Sequence, residues 1–278
     1  MRTSLIWIVV IVFAMFNACK PLIAGTAFEP LLPLVSILAP VLFVLMHGPA
    51  QIGWRRLGLF FVLTCVISWS YESLSIATGF PFGNYHYTDS LGPKLGTVPL
   101  LIMPAYFGVS YISWLIADLL IANPLGKTNS ILVRSIVAGF VMVMWDLSMD
   151  PARATVNQAW IWHDGGAYFG VPFKNFAGWF LCVLTIFLTY GAASARFEPK
   201  AELPLTRNTA MQVVGLYAAL FLEFVAYLVI TPVGTVTDAV GQIWNLRDIY
   251  ESLALVSLFT MGFVIALSAT KIQTMKTN

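Results

Sequence analysis

The segment MWDLSMDPARATVNQAWIWHDGGAYFGVPFKNFAGW, residues 144–179, contains the end of one long apolar run and the start of the next. Asp146 and Asp150 close the first run, and a stretch rich in Trp, Tyr, Phe, Gly and Asn separates the two runs. A charged side chain at the centre of a bilayer costs about 2.5–3.5 kcal/mol, so each carboxyl group there calls for a reason. The segment predicts two membrane helices joined by a loop of specific shape.

The composition of the whole chain is that of a membrane protein. Of its 278 residues, 59% are hydrophobic and 10% are charged, whereas about 25% are charged in a soluble domain. The mean hydropathy is +0.82. The net charge of +2, without a basic run among aromatics, excludes a nucleic-acid-binding protein. We therefore expect a single all-α domain over residues 1–278, a polytopic integral membrane helix bundle.

Apolar runs of about 20 residues predict eight membrane helices, separated by Pro, Gly and charged residues. They cover approximately residues 4–24, 31–47, 56–78, 98–122, 131–150, 173–194, 209–231 and 250–270. The second run is short, and the count is seven if it does not cross the bilayer fully. Pro151 is expected to end the fifth helix, because a proline disfavours helical geometry in the residue before it.

The distribution of Lys and Arg predicts the orientation of this bundle. With both termini in the cytoplasm, ten basic residues, including Lys200 and Lys276, lie on the cytoplasmic side. Five lie on the other side, as the positive-inside rule requires: Lys20, Lys94, Arg153, Lys174 and Arg247. We expect the chain in the cytoplasmic (inner) membrane. The loops at 79–97, 151–172 and 232–249 then face outward, so a candidate site lies toward the outer half of the bilayer.

Four acidic residues fall within the predicted helices: Glu72, Asp146, Asp150 and Glu223. Asp146 and Asp150 are four apart and share one helix face. All four could converge in the outer half of the bundle. Burial disfavours the charged form of a carboxyl group, and a second carboxyl nearby adds to this effect, so such a group can serve as a general acid. The structural alternative is that these acids join helices through hydrogen bonds.

The sequence favours neither a cofactor nor a metal. The three cysteines are isolated, and the three histidines lack metal-ligand spacing. His86 and His163 both lie on the predicted outer side and could meet. No dinucleotide, ATP or serine-hydrolase motif occurs.

The loops after the third and fifth predicted helices share a composition rich in aromatic residues and glycine. Together with Glu72 and WDLSMDP at 145–151, the motifs are FPFGNYHYTDSLGPKLGTVP at 80–99 and WIWHDGGAYFGVPFKNFAGW at 160–179. On these motifs the chain resembles the membrane carotenoid-biosynthesis proteins of the CruF type. These are carotenoid 1′,2′-hydratases and include the bisanhydrobacterioruberin hydratases. The resemblance covers roughly residues 60–195 and departs at Tyr106, where a Trp is expected, and at His163, where an acid is expected.

The resemblance implies acid-catalysed hydration of the terminal double bond of an acyclic carotenoid end group, through a carbocation and without a cofactor. Asp146 or Asp150 would donate the proton, and Glu72 would orient or deprotonate the water. Aromatic and polar side chains would line the slot for the cation and the polyene. These are Phe82, Tyr85, Tyr87, Trp160, Trp162, Tyr168, Phe169, Asn175 and Glu223.

Two other functions stay open. A carotenoid cyclase would use the same proton donor but exclude water, and a lipid or carotenoid carrier would catalyse nothing. The expected partners are a hydrophobic carotenoid, water and the bilayer, and other enzymes of the same pathway are candidates.

Overall fold

The computed structural model describes residues 2–121, 127–197 and 203–275. Within these ranges, eight segments are long and apolar enough to cross a membrane, which confirms the predicted polytopic helical bundle. The second of them, Glu29–Gln51, has 23 residues and is as long as its neighbours. The helices are α1 (Arg2–Ile23), α2 (Leu32–Gln51), α3 (Trp54–Thr78), α4 (Ile102–Ile121), α5 (Lys127–Pro151), α6 (Phe173–Phe197), α7 (Arg207–Val229), α8 (Leu246–Phe259) and α9 (Met261–Gln273). Lys200 and Lys276, which were counted for the orientation, lie outside the described residues.

Helix α4 lies at the centre of the bundle. Of its 20 residues, 15 are buried, and it packs against α2, α3, α5 and α7. A Cβ atom at Gly108 would lie 2.9 Å from the Cβ of Pro40, so the glycine allows α2 to approach closely. Small residues at such crossings are the usual device for close helix packing in membranes.

The prediction that Pro151 ends the fifth helix holds for its α-helical part, but the chain does not leave the helix there. Helix α5 runs through Pro151 and continues as one π-helical turn, Ala152–Val156. Proline removes one backbone donor and so leaves the carbonyl group of Leu147 without its helical partner. The hydroxyl group of Tyr168 donates to that carbonyl oxygen instead, which allows the helix to continue.

The helix predicted over residues 250–270 is longer than expected and is interrupted. Helices α8 and α9 meet at Thr260, and together they form the last membrane-spanning segment, Leu246–Gln273. The hydroxyl group of Thr260 donates to the carbonyl oxygen of Val256 at 2.6 Å. A side-chain hydroxyl that bonds back to the preceding turn competes with the helical ladder and bends it.

The two aromatic loops pair with each other through short strands. Strand β1 (Tyr85–Tyr87) is antiparallel to β4 (Trp160–Trp162), with Tyr85 opposite Trp162 and Tyr87 opposite Trp160. Two hairpins lie beside this pair. Their strands are β2 (Lys94–Leu95), β3 (Val98–Pro99), β5 (Thr235–Thr237) and β6 (Ile243–Asn245).

The loops that follow α3, α5 and α7 form one cap over the same end of the bundle. Phe169 packs its ring against Trp244, with the ring centroids 5.3 Å apart. A Cβ atom at Gly170, which has a φ of +85°, would lie 3.2 Å from the Cβ of Asp238. The cap thus places the aromatic loops directly above the acidic residues of α3 and α5.

Candidate active site

The carboxyl group of Glu72 is surrounded by three tyrosine hydroxyl groups. Tyr85 and Tyr87 both donate to Oε2, the latter at 2.9 Å, and Tyr106 donates to Oε1 at 2.9 Å. Glu72 is 2% exposed. Side chains alternate along a strand, so β1 turns Tyr85 and Tyr87 inward to Glu72 and leaves His86 outside.

The two tyrosines of β1 favour the protonated form even more strongly than a free tyrosine does. Burial and the neighbouring Glu72 carboxyl raise the pKa of Tyr85 and of Tyr87 well above the usual range. Both hydroxyl groups therefore remain hydrogen-bond donors at neutral pH. A carboxylate that accepts several such bonds is held in a fixed orientation.

Asp146 and Asp150 lie on one face of α5, as the spacing predicts, and Asn175 bridges them. The Asn175 side-chain amide donates to Oδ2 of Asp150 and, at 3.3 Å, to Oδ2 of Asp146. The indole N–H of Trp160 donates to Oδ1 of Asp150 at 2.9 Å. Oδ1 of Asp146 is buried and has no hydrogen-bond partner among the described residues.

A cavity of about 670 Å³ opens in front of these groups. This volume falls within the range of about 300–1,000 Å³ that is typical of small-molecule sites. Nine of the residues predicted for the site line it. They are Glu72, Phe82, Tyr85, Tyr87, Asp150, Trp160, Trp162, Asn175 and Glu223.

Three other predicted site residues do not line this cavity. Among the described residues, Asp146 accepts a side-chain hydrogen bond from Asn175, which does line the cavity. The hydroxyl group of Tyr168 donates instead to the backbone carbonyl oxygen of Leu147 in α5. Phe169 packs against the hairpin that follows α7. Of the two aspartates, it is Asp150 that faces the cavity.

Glu223 lines the same cavity but has cationic partners of its own. Its carboxylate lies between Lys20 of α1 and Arg153 of the π-helical turn, with a hydrogen bond to each. Lys20 is 1% exposed and Arg153 is half-buried, although both were counted as outer basic residues. Glu223 is thus part of an ion cluster, whereas Glu72 and Asp150 are bound by neutral donors.

Tyr106 and Trp179 are cavity residues that were not predicted for the site. Their rings stack with centroids 4.3 Å apart and planes within 10°. The signal for Tyr106 was present in the sequence, because this position departs from the family motif. Trp179 closes the motif at 160–179, and only the stacking shows its contact with the cavity wall.

His86 and His163 meet on the outer surface of the cap. Nδ1 of His86 lies 3.0 Å from Nε2 of His163, and the two rings are stacked. Both side chains are exposed and point away from the cavity, since β1 alternates between the two faces. Among the described residues, no three His, Cys, Asp or Glu side chains are grouped as a metal site would require.

Comparison with known proteins identifies a family for this chain. Residues 30–242 match the family described as carotenoid biosynthesis protein. A bisanhydrobacterioruberin hydratase from Haloarcula japonica is 32% identical over 128 residues. This match covers 46% of the present chain and 42% of the relative, which is less than half of each. No solved structure matches the chain.

Proposed function

The chain belongs to the carotenoid biosynthesis protein family, and we propose that it hydrates the terminal carbon–carbon double bond of an acyclic carotenoid end group. The product is a tertiary alcohol. One observation carries the proposal: the carboxyl groups of Glu72 and Asp150 line a single cavity with an aromatic wall. The relative that is named as a hydratase supports it.

Asp150 is the proton donor in this proposal. An isolated alkene is a weak base, so its protonation needs a carboxylic acid placed directly against it. Asp150 faces the cavity, and Trp160 and Asn175 hold its carboxyl group in place. The proton passes to the carbon atom that leaves the positive charge on the tertiary carbon. Asp146 does not contact the substrate in this proposal. It helps to position Asp150, because Asn175 donates to both carboxyl groups.

The aromatic wall stabilises the carbocation. Tyr85, Tyr87, Trp160 and Trp162 face each other across the β1–β4 pair and line the cavity. Each aromatic face lowers the energy of a nearby cation by about 0.5–2 kcal/mol. The Glu72 carboxylate adds an opposite charge beside the same rings. The polyene chain behind the reacting end is apolar and is bound by an apolar surface.

Glu72 is the base that completes the addition. The oxygen atom of water bonds to the tertiary carbon, and one water proton passes to Glu72. Atoms and charge then balance, because Asp150 has lost one proton and Glu72 has gained one. Exchange with solvent returns a proton to Asp150 and frees Glu72. The three tyrosine donors hold Glu72 in the orientation that this step requires.

Expression in a bacterium that accumulates an acyclic carotene tests the proposal. We expect the pigments to gain the mass of one water molecule for each end that reacts. An unchanged mass with a new ring would indicate a cyclase, and unchanged pigments would indicate a carrier or an inactive chain. Either result would overturn the hydratase proposal.

Single substitutions link this activity to the cavity. We expect Asp150→Asn and Glu72→Gln each to reduce alcohol formation by about 100-fold or more, since general acids and bases contribute about 10²–10⁴-fold. Glu251→Gln is the matched control, because Glu251 lies at an exposed ion pair with Arg247. Full activity in both cavity variants would contradict the proposed roles.

A further inference from the structure

The ion cluster of Lys20, Glu223 and Arg153 has no role in the mechanism above. Its members come from α1, α7 and the π-helical turn, and all three line the cavity. Ionisable groups within membrane helices are costly and generally mark water-filled or ion-conducting regions. A buried ion cluster is also a weak source of stability, because desolvation offsets the attraction between its charges. A functional role therefore accounts for the cluster better than stability does.

Some hydrogen-bond donors of the cluster are not used by the described protein groups at the cavity wall. An ammonium group has three donors, and in the described part of the chain Lys20 uses one, toward Glu223. A guanidinium group has five N–H donors. Arg153 donates to Glu223 and, through Nη1, to Oδ1 of Asn157 at 3.2 Å. The remaining donors can hold water molecules, which need two to four polar partners.

The same part of the cavity reaches the surface outside the membrane-spanning segments. Thr26, Ser90 and Asn157 line the cavity, are exposed and belong to loops rather than to the spans. Glu29, which lies just before α2 at the start of the span Glu29–Gln51, also lines it. These polar side chains mark an opening toward the aqueous face of the cap.

The wall of the cavity at membrane depth is different in character. There α2 and α4 contribute Pro33, Ile37, Pro40 and Val109. This wall is apolar and suits a polyene. The cavity thus has a polar, charged opening at one side and an apolar wall at the other, which matches the two substrates of a hydration reaction.

We propose that the Lys20–Glu223–Arg153 cluster and the exposed residues Thr26 and Asn157 form a water port that supplies the cavity and that the carotenoid does not use. The proposal rests on the proposed hydration for its purpose. Its geometry, an aqueous opening at this cluster, is independent of that reaction. We call this set of five residues the water port.

Reversible plugging of the port tests its role. Asn157→Cys and Thr26→Cys are treated with a membrane-impermeant methanethiosulfonate, and hydration of an acyclic carotene is measured before and after. We expect modification to reduce alcohol formation by about tenfold or more, and a reductant to restore it. Restoration in the same sample shows that the protein remained folded. Binding of the carotene, followed by its visible absorption, should be unchanged.

Ala27→Cys is the matched control, because Ala27 is exposed next to Thr26 and does not line the cavity. It should be modified equally with no effect on hydration. The unsubstituted chain controls for the native cysteines. Unchanged hydration after modification of Asn157→Cys would overturn the port. Loss of carotene binding together with hydration would also overturn it, since the opening would then serve the carotenoid.

A second measurement separates the port from the proposed reaction. Ala105 of α4 lines the cavity and is half-buried, so Ala105→Cys reports whether water-soluble reagents reach the interior. We expect Asn157→Trp to slow the modification of this cysteine by about tenfold or more. An unchanged rate would exclude entry at the port, whether or not the chain hydrates carotenoids. Absence of alcohol in the unsubstituted chain, with slowed modification, would instead overturn only the reaction.

Discussion

The hydroxyl group of Tyr168 lies 3.1 Å from the carbonyl oxygen of Leu147 and donates a hydrogen bond to it. In a regular helix this carbonyl would accept from the N–H group four residues later, but that residue is Pro151, which has no N–H group. It lies between Asp146 and Asp150 along α5. A residue predicted to contact substrate thus supports the backbone that carries both carboxyl groups.

Loss of this bond should destabilise the protein. Tyr168→Phe leaves a carbonyl group without a partner, which costs about 1–3 kcal/mol when the group is buried. We expect a lower melting temperature in detergent. Tyr71→Phe is the control, because the partner of Tyr71 is Thr185, which also bonds to its own helix at Leu181. Equal effects of the two variants would contradict a special role for Tyr168.

The three tyrosines around Glu72 should contribute unequally to activity. Tyr106 is the donor to Oε1 in the described part of the chain, whereas Oε2 receives both Tyr85 and Tyr87. Tyr106→Phe should therefore reduce alcohol formation by about tenfold, the equivalent of one net hydrogen bond of about 1.4 kcal/mol. Tyr85→Phe or Tyr87→Phe leaves a donor in place and should have the smaller effect. The rate of alcohol formation per unit of protein, measured for all three, checks this order.

Asp146 and Asn175 should act through Asp150. We expect Asp146→Asn and Asn175→Ala to reduce activity less than Asp150→Asn does, because only Asn175 and Asp150 line the cavity and Asp146 contacts Asn175. In the Asp150→Asn background, Asp146→Asn should cause no further loss, since residues in one network are not additive. Additive losses in the double variant would indicate that Asp146 meets the substrate independently.

A close contact between α6 and the first aromatic loop should tolerate no side chain. A Cβ atom at Gly178 would lie 2.8 Å from the Phe82 ring and 2.9 Å from the Pro81 backbone. Gly178→Ala should lower both the melting temperature and the activity, because Phe82 must move. Gly58→Ala is the control, as a Cβ atom at this helical position meets nothing within 4 Å. Alanine should be neutral or stabilising there.

The orientation predicted from basic residues can be measured directly. With both termini in the cytoplasm, a fluorescent protein fused to the C-terminus should fluoresce, and an alkaline phosphatase fusion at the same site should be inactive. A cysteine at the exposed Val240 should react with an impermeant reagent added to intact cells. Labelling of this cysteine only after cell lysis would reverse the orientation.

The amino-acid sequence by itself determined the membrane class and the eight spans, because these depend on local composition. It also determined the family, because the family motifs are continuous stretches of the sequence. About 20 apolar residues in a row specify a membrane helix without reference to any other part of the chain. The clustering of Gly, Pro, Asn and aromatic residues in 79–104 and 159–179 likewise predicted two segments with specific backbone conformations. The spacing of Asp146 and Asp150 placed them on one helix face.

Only the tertiary structure decided which of these residues meet. Tyr85 and Tyr87 reach Glu72 because β1 pairs with β4, a contact between segments about 75 residues apart. Glu223 joins Lys20, which is 203 residues away, rather than Glu72. The chain stays helical beyond Pro151 because Tyr168 supplies a donor from a different segment. Hydrogen bonds and ion pairs form with whatever the fold brings within about 3 Å, and this is not a property of the local sequence.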